Sequence, residues 1–328
     1  MNAVPPLSAG LVEIESGGAA TPVPSTPIAH DVVAVVAATD PTQVRELLDR
    51  LAIGVLVPGH LVVVARQGAD TDDDTLGPTV SGHHLRTRFD SVRIIRVTGE
   101  LTPQVAATAA LEQALPTAPD HDRIEWLWLL TDRCRPAHGA LAALHRTART
   151  SRAAGVVAPK LRSAERPPRL LSVGYVLTRA GRWVPQPRDG ERDQGQYDDR
   201  ADVLATSTTG ALVHLDTLAE VGGWARRLRE GRLALAGDVD LGWRLHRAGR
   251  RVIVAADAVV EVEPADPAGI DAAEPLALTG ASRRALRPIA LGAQPVVLWP
   301  IRILAVLGTA MLAVIVMLLA KRPRAAGR

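Results

Sequence analysis

Apolar residues along this chain fall into short unbroken runs that alternate with segments of helical period. Residues 31–38 read DVVAVVAA, a run suited to a strand buried on both faces. Asp40-Pro41 follow as an N-cap and a first helical residue, and Val44, Leu47, Leu48 and Leu51 continue at helical spacing. Further strands are predicted near residues 61–65, 92–97, 125–130 and 155–158. Helices are predicted from Thr102-Pro103 and from about 136 to 149. This alternation predicts an α/β fold with a doubly wound, mostly parallel sheet. Ligands of such sheets bind beyond the carboxyl ends of the strands, so the loops after Ala38, Ala65 and Leu130 are expected to line a site.

The pattern changes over residues 162–200, where short β-like pieces sit among Pro, Gly and charged residues. A β-hairpin insertion and a mobile loop over 188–199 are expected there. Strand character returns over 203–215, followed by a short helix at 216–221 that Gly222-Gly223 ends. A helix over 238–248 is capped by Gly249, and a strand follows over 251–255. The organisation reads as a disordered arm (1–29), a catalytic-type domain (30–265), a linker (266–287), an apolar segment (288–320) and a basic tail (321–328).

Within the apolar segment, residues 303–320 run for 18 positions without a charge, the threshold length for a transmembrane helix. Pro295, Pro300 and Arg302 interrupt the wider stretch. Basic residues flank both ends: Arg283, Arg284 and Arg287 before, and Lys321, Arg322, Arg324 and Arg328 after. The positive-inside rule then favours two cytoplasmic ends. A re-entrant hairpin and a single tilted span both fit, and so does a fragment of a longer multi-span protein. The expected location is the cell membrane, with the main domain in the cytoplasm.

Composition narrows the function classes. Of 328 residues, 47% are hydrophobic but only 3% aromatic, so the core must be built from Ala, Val and Leu. The net charge is +3, and the bases are interspersed with acids, which argues against a nucleic-acid partner. Cys134 is the one cysteine, which fits a reducing compartment. The N-terminus lacks the basic and apolar regions of a secretory signal. No GxGxxG, GxxxxGK[ST] or GxSxG motif occurs. His83-His84 reads as solvated surface, and Cys134 as packing.

The candidate chemistry lies in acids beside strand ends. Asp132 directly follows the strongest strand, within WLWLLTDRCRP at 126–136. Asp238 and Asp240 open the predicted helix DVDLGWR at 238–244. A turn acid and a dipole-complementing pair are the plain readings of these positions. In order and spacing, however, three pieces resemble the C-terminal part of the catalytic domain of bacterial family 2 glycosyltransferases. They are TTGALV at 208–213 with LAEVGGW at 218–224, the 238–244 helix, and Ala248-Gly249 with the 251–255 strand. The 126–136 stretch is similar to the strand and metal loop of galactofuranosyltransferase-like members. The resemblance covers roughly residues 31–262 and implies a GT-A-like fold.

By that resemblance the chain is an inverting transferase, taking a sugar from a nucleotide-sugar donor to a cell-envelope or lipid-linked glycan acceptor at the membrane. Asp238 would be the general base. Asp132 and Glu261 would be oxygen ligands of a divalent metal, Mn or Mg. Asp132, Arg133, Arg66, Gly210, Asp240, Trp243 and Arg244 would line the donor and acceptor cleft. The sequence also departs from the family pattern. Ala65-Arg66-Gln67-Gly68 lacks the acid that holds the base or ribose, Asp132 is the single acid of its loop, no His follows the last strand, and Gly237 replaces the first acid of the base pair. One carboxylate holds a divalent ion weakly. Arg133 can meet diphosphate charge in its place. A family relative that keeps the fold without turnover is the alternative.

Overall fold

The computed structural model describes residues 11–13, 26–67, 76–83, 88–115, 124–165, 167–177, 183–187, 191–199, 201–228, 234–263 and Leu286. Among the described residues, eleven strands form one mixed sheet. Its parallel first half comprises β2 (Ile28–Ala38), β3 (Val57–Arg66), β4 (Ser91–Val97) and β5 (Trp126–Thr131). Its second half centres on β7 (Ala154–Ser163) and β13 (Arg251–Val262), which pair in parallel. Between the halves lies the three-residue β12 (Leu212–His214), antiparallel to both β5 and β7. The spatial order is β1-β4-β3-β2-β5-β12-β7-β13-β11, where β1 is Leu11–Glu13 and β11 is Asp202–Val203. Off this path, β6 (Cys134–Pro136) pairs with β13, and β8 (Leu170–Ser172) with β7. The pair β9 (Tyr175–Leu177) and β10 (Trp183–Pro185) forms a separate hairpin.

The 31–38 run behaves as its pattern predicts, with residues 32–38 all buried. Val32, Ala34, Val36 and Ala38 face α1 (Pro41–Ala52), α2 (Leu76–Ser81) and α4 (Ala140–Thr150). Val33, Val35 and Ala37 face α3 (Pro103–Gln113), α5 (Leu215–Glu220) and α6 (Ala234–Arg247). Both predicted caps form: Asp40 accepts from Thr42 N and Thr102 from Val105 N. Each such cap is worth ~1 kcal/mol.

Several expectations change. Leu11–Glu13, inside the predicted arm, pairs with the edge of β4. Residues 204–211 are not strand; Gly210, at φ +73°, turns the chain back into β12. The predicted hairpin insertion is present, but the loop expected to be mobile is tied down where it is described, at 191–199. Lys160, 5% exposed, bonds Asp193 and Asp198 there, and Arg162 pairs with Asp193. His83 is buried against Asp49 at 2.9 Å, because α2 folds its end onto α1. Leu286, assigned to the linker, is fully buried beside Tyr175, Leu228 and Leu235. Among the described residues no helix is long and apolar enough to cross a membrane, and the predicted 288–320 segment lies outside them.

Candidate active site

Strand β5 ends where its apolar run ends, and Asp132 follows in a tight turn. The carboxylate is buried, and Oδ2 accepts from Thr39 N, from Thr39 Oγ1 at 2.8 Å and from Asp40 N at 2.8 Å. The turn acid therefore joins the carboxyl ends of β2 and β5. Under it, the Arg135 guanidinium is almost wholly buried. Its Nη1 donates to the Asp132 carbonyl, and its Nη2 reaches Gln43, Glu46 and Glu263 at 2.6–2.8 Å. Glu263 N also bonds the Arg133 carbonyl. One fork thus locks α1, the Asp132 turn and the end of β13 together, as a planar, always-charged group can.

Asp238 occupies a different setting from the one predicted. Helix α6 already runs from Ala234, so Asp238 is its fifth described residue rather than an opening one, and a first-turn dipole role does not apply. The side chain is 3% exposed and accepts four hydrogen bonds. Oδ1 takes Gln104 Nε2 at 2.9 Å, Thr208 Oγ1 at 2.8 Å and Trp224 Nε1 at 3.2 Å; Oδ2 takes Thr208 N at 2.9 Å. Burial pushes the carboxyl up, the four donors pull it down, and the balance lies at about 6. Every partner is a donor, so the cradle is built for the ionised form, while burial raises its appetite for a proton. These are the properties of a general base near neutral pH.

Asp132 and Asp238 lie at the same edge of the sheet. Asp132 follows the carboxyl end of β5. Thr208, which holds Asp238, lies two residues before Gly210, whose N–H bonds the Leu129 carbonyl near that same end. Their hydrogen-bond partners are separate sets, with Asp132 tied toward α1 and Asp238 held between α3 and α6.

The other expected site residues divide. Arg66 is exposed at the carboxyl end of β3, where a ligand can meet it. Trp243 is half-buried on α6. Gly210 serves conformation: a Cβ there would stand 3.0 Å from Pro159, and its carbonyl accepts from Trp128 Nε1. Asp240 pairs with Arg244 at 2.9 Å, and Arg244 also donates to the Val221 carbonyl, tying α6 to the end of α5. Glu261 pairs with Arg162 at 3.5 Å. The Cys134 thiol is fully buried and pushed up by that burial, as packing requires.

Among the described residues, the expected oxygen ligands do not gather into a metal site. Oδ2 of Asp132 already serves three donors, Glu261 faces a guanidinium, and among the described residues no three His, Cys, Asp or Glu side chains gather. The Gly237 position, where the family pattern has an acid, is also closed. A Cβ there would stand 2.5 Å from the Leu228 carbonyl oxygen. Sequence reading missed Gln104, which looks like a solvated first-turn residue. It also missed Thr39, Arg135 and Lys160, whose partners are distant in the chain. A lone lysine in an arginine-rich domain was the one available signal.

Comparison with known proteins gives a family and a fold. Residues 30–287 match the sequence model of the family described as "Glycosyltransferase like family 2". No curated protein matches the chain. Among solved structures, the chain resembles GalNAc-T7 with UDP, GalNAc and Mn2+ at TM-score 0.50 and 11% identity, over 71% of this chain and 44% of that one. It is also similar to S. aureus TarS, at TM-score 0.44 and 14% identity, over 72% and 37%. A third is the mannosyltransferase PcManGT from Pyrobaculum calidifontis with GDP-Man and Mn2+, at TM-score 0.48 and 16% identity, over 86% and 80%. The chain spans less than half the length of the first two. The fold is that of GT-A glycosyltransferases.

Proposed function

The chain belongs to glycosyltransferase-like family 2, and on that premise we propose that it transfers a sugar from a nucleotide-sugar donor to a hydroxyl acceptor, with inversion, using Asp238 as general base. The carrying observation is the cradle of four donors around one buried carboxylate at the carboxyl edge of the sheet. The acceptor oxygen attacks the anomeric carbon while the bond to the diphosphate breaks. The acceptor proton passes to Asp238, and the nucleoside diphosphate departs with the bonding electrons. Arg66, at the end of β3, and Arg133, in the Asp132 turn, are the proposed partners of the diphosphate charge. Trp243 is the proposed acceptor-side surface. A lipid-linked or cell-envelope acceptor at the cytoplasmic membrane face is proposed from the apolar 303–320 sequence and its basic flanks.

The test is turnover of a panel of UDP-, GDP- and dTDP-sugars by the full chain and by Asp238→Asn. The expected result is donor binding by both proteins, seen by calorimetry, with transfer or donor hydrolysis by the wild type alone. Undiminished turnover in Asp238→Asn would defeat the assignment of the base.

Two observations favour a second reading, a transferase-fold binding protein without turnover. Asp132 holds a loop, and the Leu228 carbonyl closes the space beside Gly237 where the family pattern carries an acid. Nucleotide-sugar binding with neither hydrolysis nor transfer, across the whole panel, is the outcome that selects it.

A further inference from the structure

The two oxygens of Asp238 are not equivalent. Oδ1 accepts three hydrogen bonds and Oδ2 accepts one. A carboxylate offers about four acceptor sites, two per oxygen. Oδ1 is therefore saturated, and Oδ2 keeps a lone pair for an incoming proton. Two of the three side chains that hold the carboxylate, Thr208 and Trp224, precede α6 in the same half of the sheet. The third, Gln104, lies 134 residues away in sequence, in the first turn of α3, which packs mainly on β2 and β5.

Gln104 is 3% exposed, and among the described residues its buried Oε1 has no hydrogen-bond partner. A buried acceptor left unpaired costs about 1–3 kcal/mol, a loss that an apolar residue of the same shape avoids. Packing alone does not explain an amide at this position. Among the described residues, its one hydrogen bond to a side chain is its donation to Asp238.

We propose that Gln104 is a positioning residue for Asp238: its amide N–H fixes Oδ1 and so presents Oδ2 as the atom that receives the acceptor proton. This rests on the transfer reading above and adds a link between the two halves of the sheet. The base sits on α6, while its orientation is set from α3, behind the strands whose ends face the donor. Among the described residues, Tyr175 on β9 is the titratable group that senses the Asp238 charge. Burial, and then that charge, push its phenol upward, so it stays neutral while Asp238 ionises. Asp240 and Arg244, further along α6, neutralise each other.

The decisive measurement is the carboxyl carbon titration of Asp238 in the full chain carrying 13C-labelled aspartate. The resonance is assigned by its loss in Asp238→Asn. Removing a donor from a carboxylate favours its protonated form. Gln104→Leu is therefore expected to raise the proton affinity of Asp238 by about threefold or more, with circular dichroism unchanged. A folded Gln104→Leu whose Asp238 midpoint stays in place overturns the proposal. If Gln104→Leu does not fold, Gln104→Met decides by the same measure, since it keeps the side chain's length and brings neither an amide donor nor a charge. The titration needs no substrate, so failure of every nucleotide sugar to react counts against the transfer reading alone. Where turnover is found, the acid limb of the kcat profile is expected to move with the midpoint while the donor KM holds. A purely structural role would lower the melting temperature and leave that limb unmoved.

Discussion

The carboxylate of Asp132 accepts a hydrogen bond from the Thr39 hydroxyl at 2.8 Å, across 93 residues of sequence. The same oxygen takes the backbone N–H groups of Thr39 and Asp40, so one side chain terminates two neighbouring strands. Asp132→Ala is expected to cost about 1–3 kcal/mol in urea unfolding, since three donors lose their acceptor. The loss should be equal with and without added manganese. A stabilisation by manganese seen in the wild type alone would give Asp132 an ion-binding role.

The Asp238 carboxyl sets a pH dependence whose sign is fixed by its shift. Its folded value, about 6, lies above the ordinary 3.8 of an aspartate carboxyl. Between those values the folded chain holds a proton that the unfolded chain has released. Stability from this group is therefore fully present below about pH 4, falls as pH rises toward 6, and is flat beyond. The span corresponds to roughly 3 kcal/mol. Asp238→Asn should remove this slope from unfolding midpoints measured between pH 4 and 7. A slope that persists in the variant would assign it to other groups.

Restoring the acid missing at Gly237 should not restore an acid pair. Gly237→Ala already brings a Cβ to 2.5 Å from the Leu228 carbonyl, so the short 3-10 turn at Arg226–Leu228 must move. The expected result is a loss of about 1–3 kcal/mol for Gly237→Ala and a larger one for Gly237→Glu, read from thermal or urea unfolding. A Gly237→Glu protein as stable as the wild type would show that this turn yields freely.

Arg135→Lys tests the fork beneath the Asp132 turn. A single ammonium cannot span Gln43, Glu46, Glu263 and the Asp132 carbonyl as the guanidinium does. A destabilisation of about 1–3 kcal/mol is expected. Because Glu46 is half exposed, Glu46→Ala should cost less than Arg135→Lys in the same assay. The reverse order would place the energy in the surface pair.

Much of this architecture was legible because it is written locally. The run at 31–38 is apolar at every position because both faces of β2 are covered, and Asp40-Pro41 and Thr102-Pro103 carry their own start signals. The reversal into β12 was not legible, since 203–215 has continuous strand-like composition while the turn is imposed by Gly210 against Pro159. The candidate site was half legible. Asp238 stands out by its setting in the 238–244 segment, but nothing local to Gln104 points to a carboxylate 134 positions onward. Asp132 was legible as a residue, but the hydrogen bonds it accepts were not. Its position after a strong strand is visible in sequence, whereas the two backbone N–H groups it serves belong to another strand.

The buried Lys160 has a practical consequence. It is one of only two lysines in the chain, and its ammonium is enclosed by Asp193 and Asp198. Burial alone would ease its deprotonation, but those two carboxylates outweigh burial and hold it above its ordinary value. An amine-selective reagent should therefore modify this position only when the 191–199 segment lifts away. The chain thus carries its own slow-labelling clock, and mass spectrometry of one peptide can follow how ligands change that segment's opening.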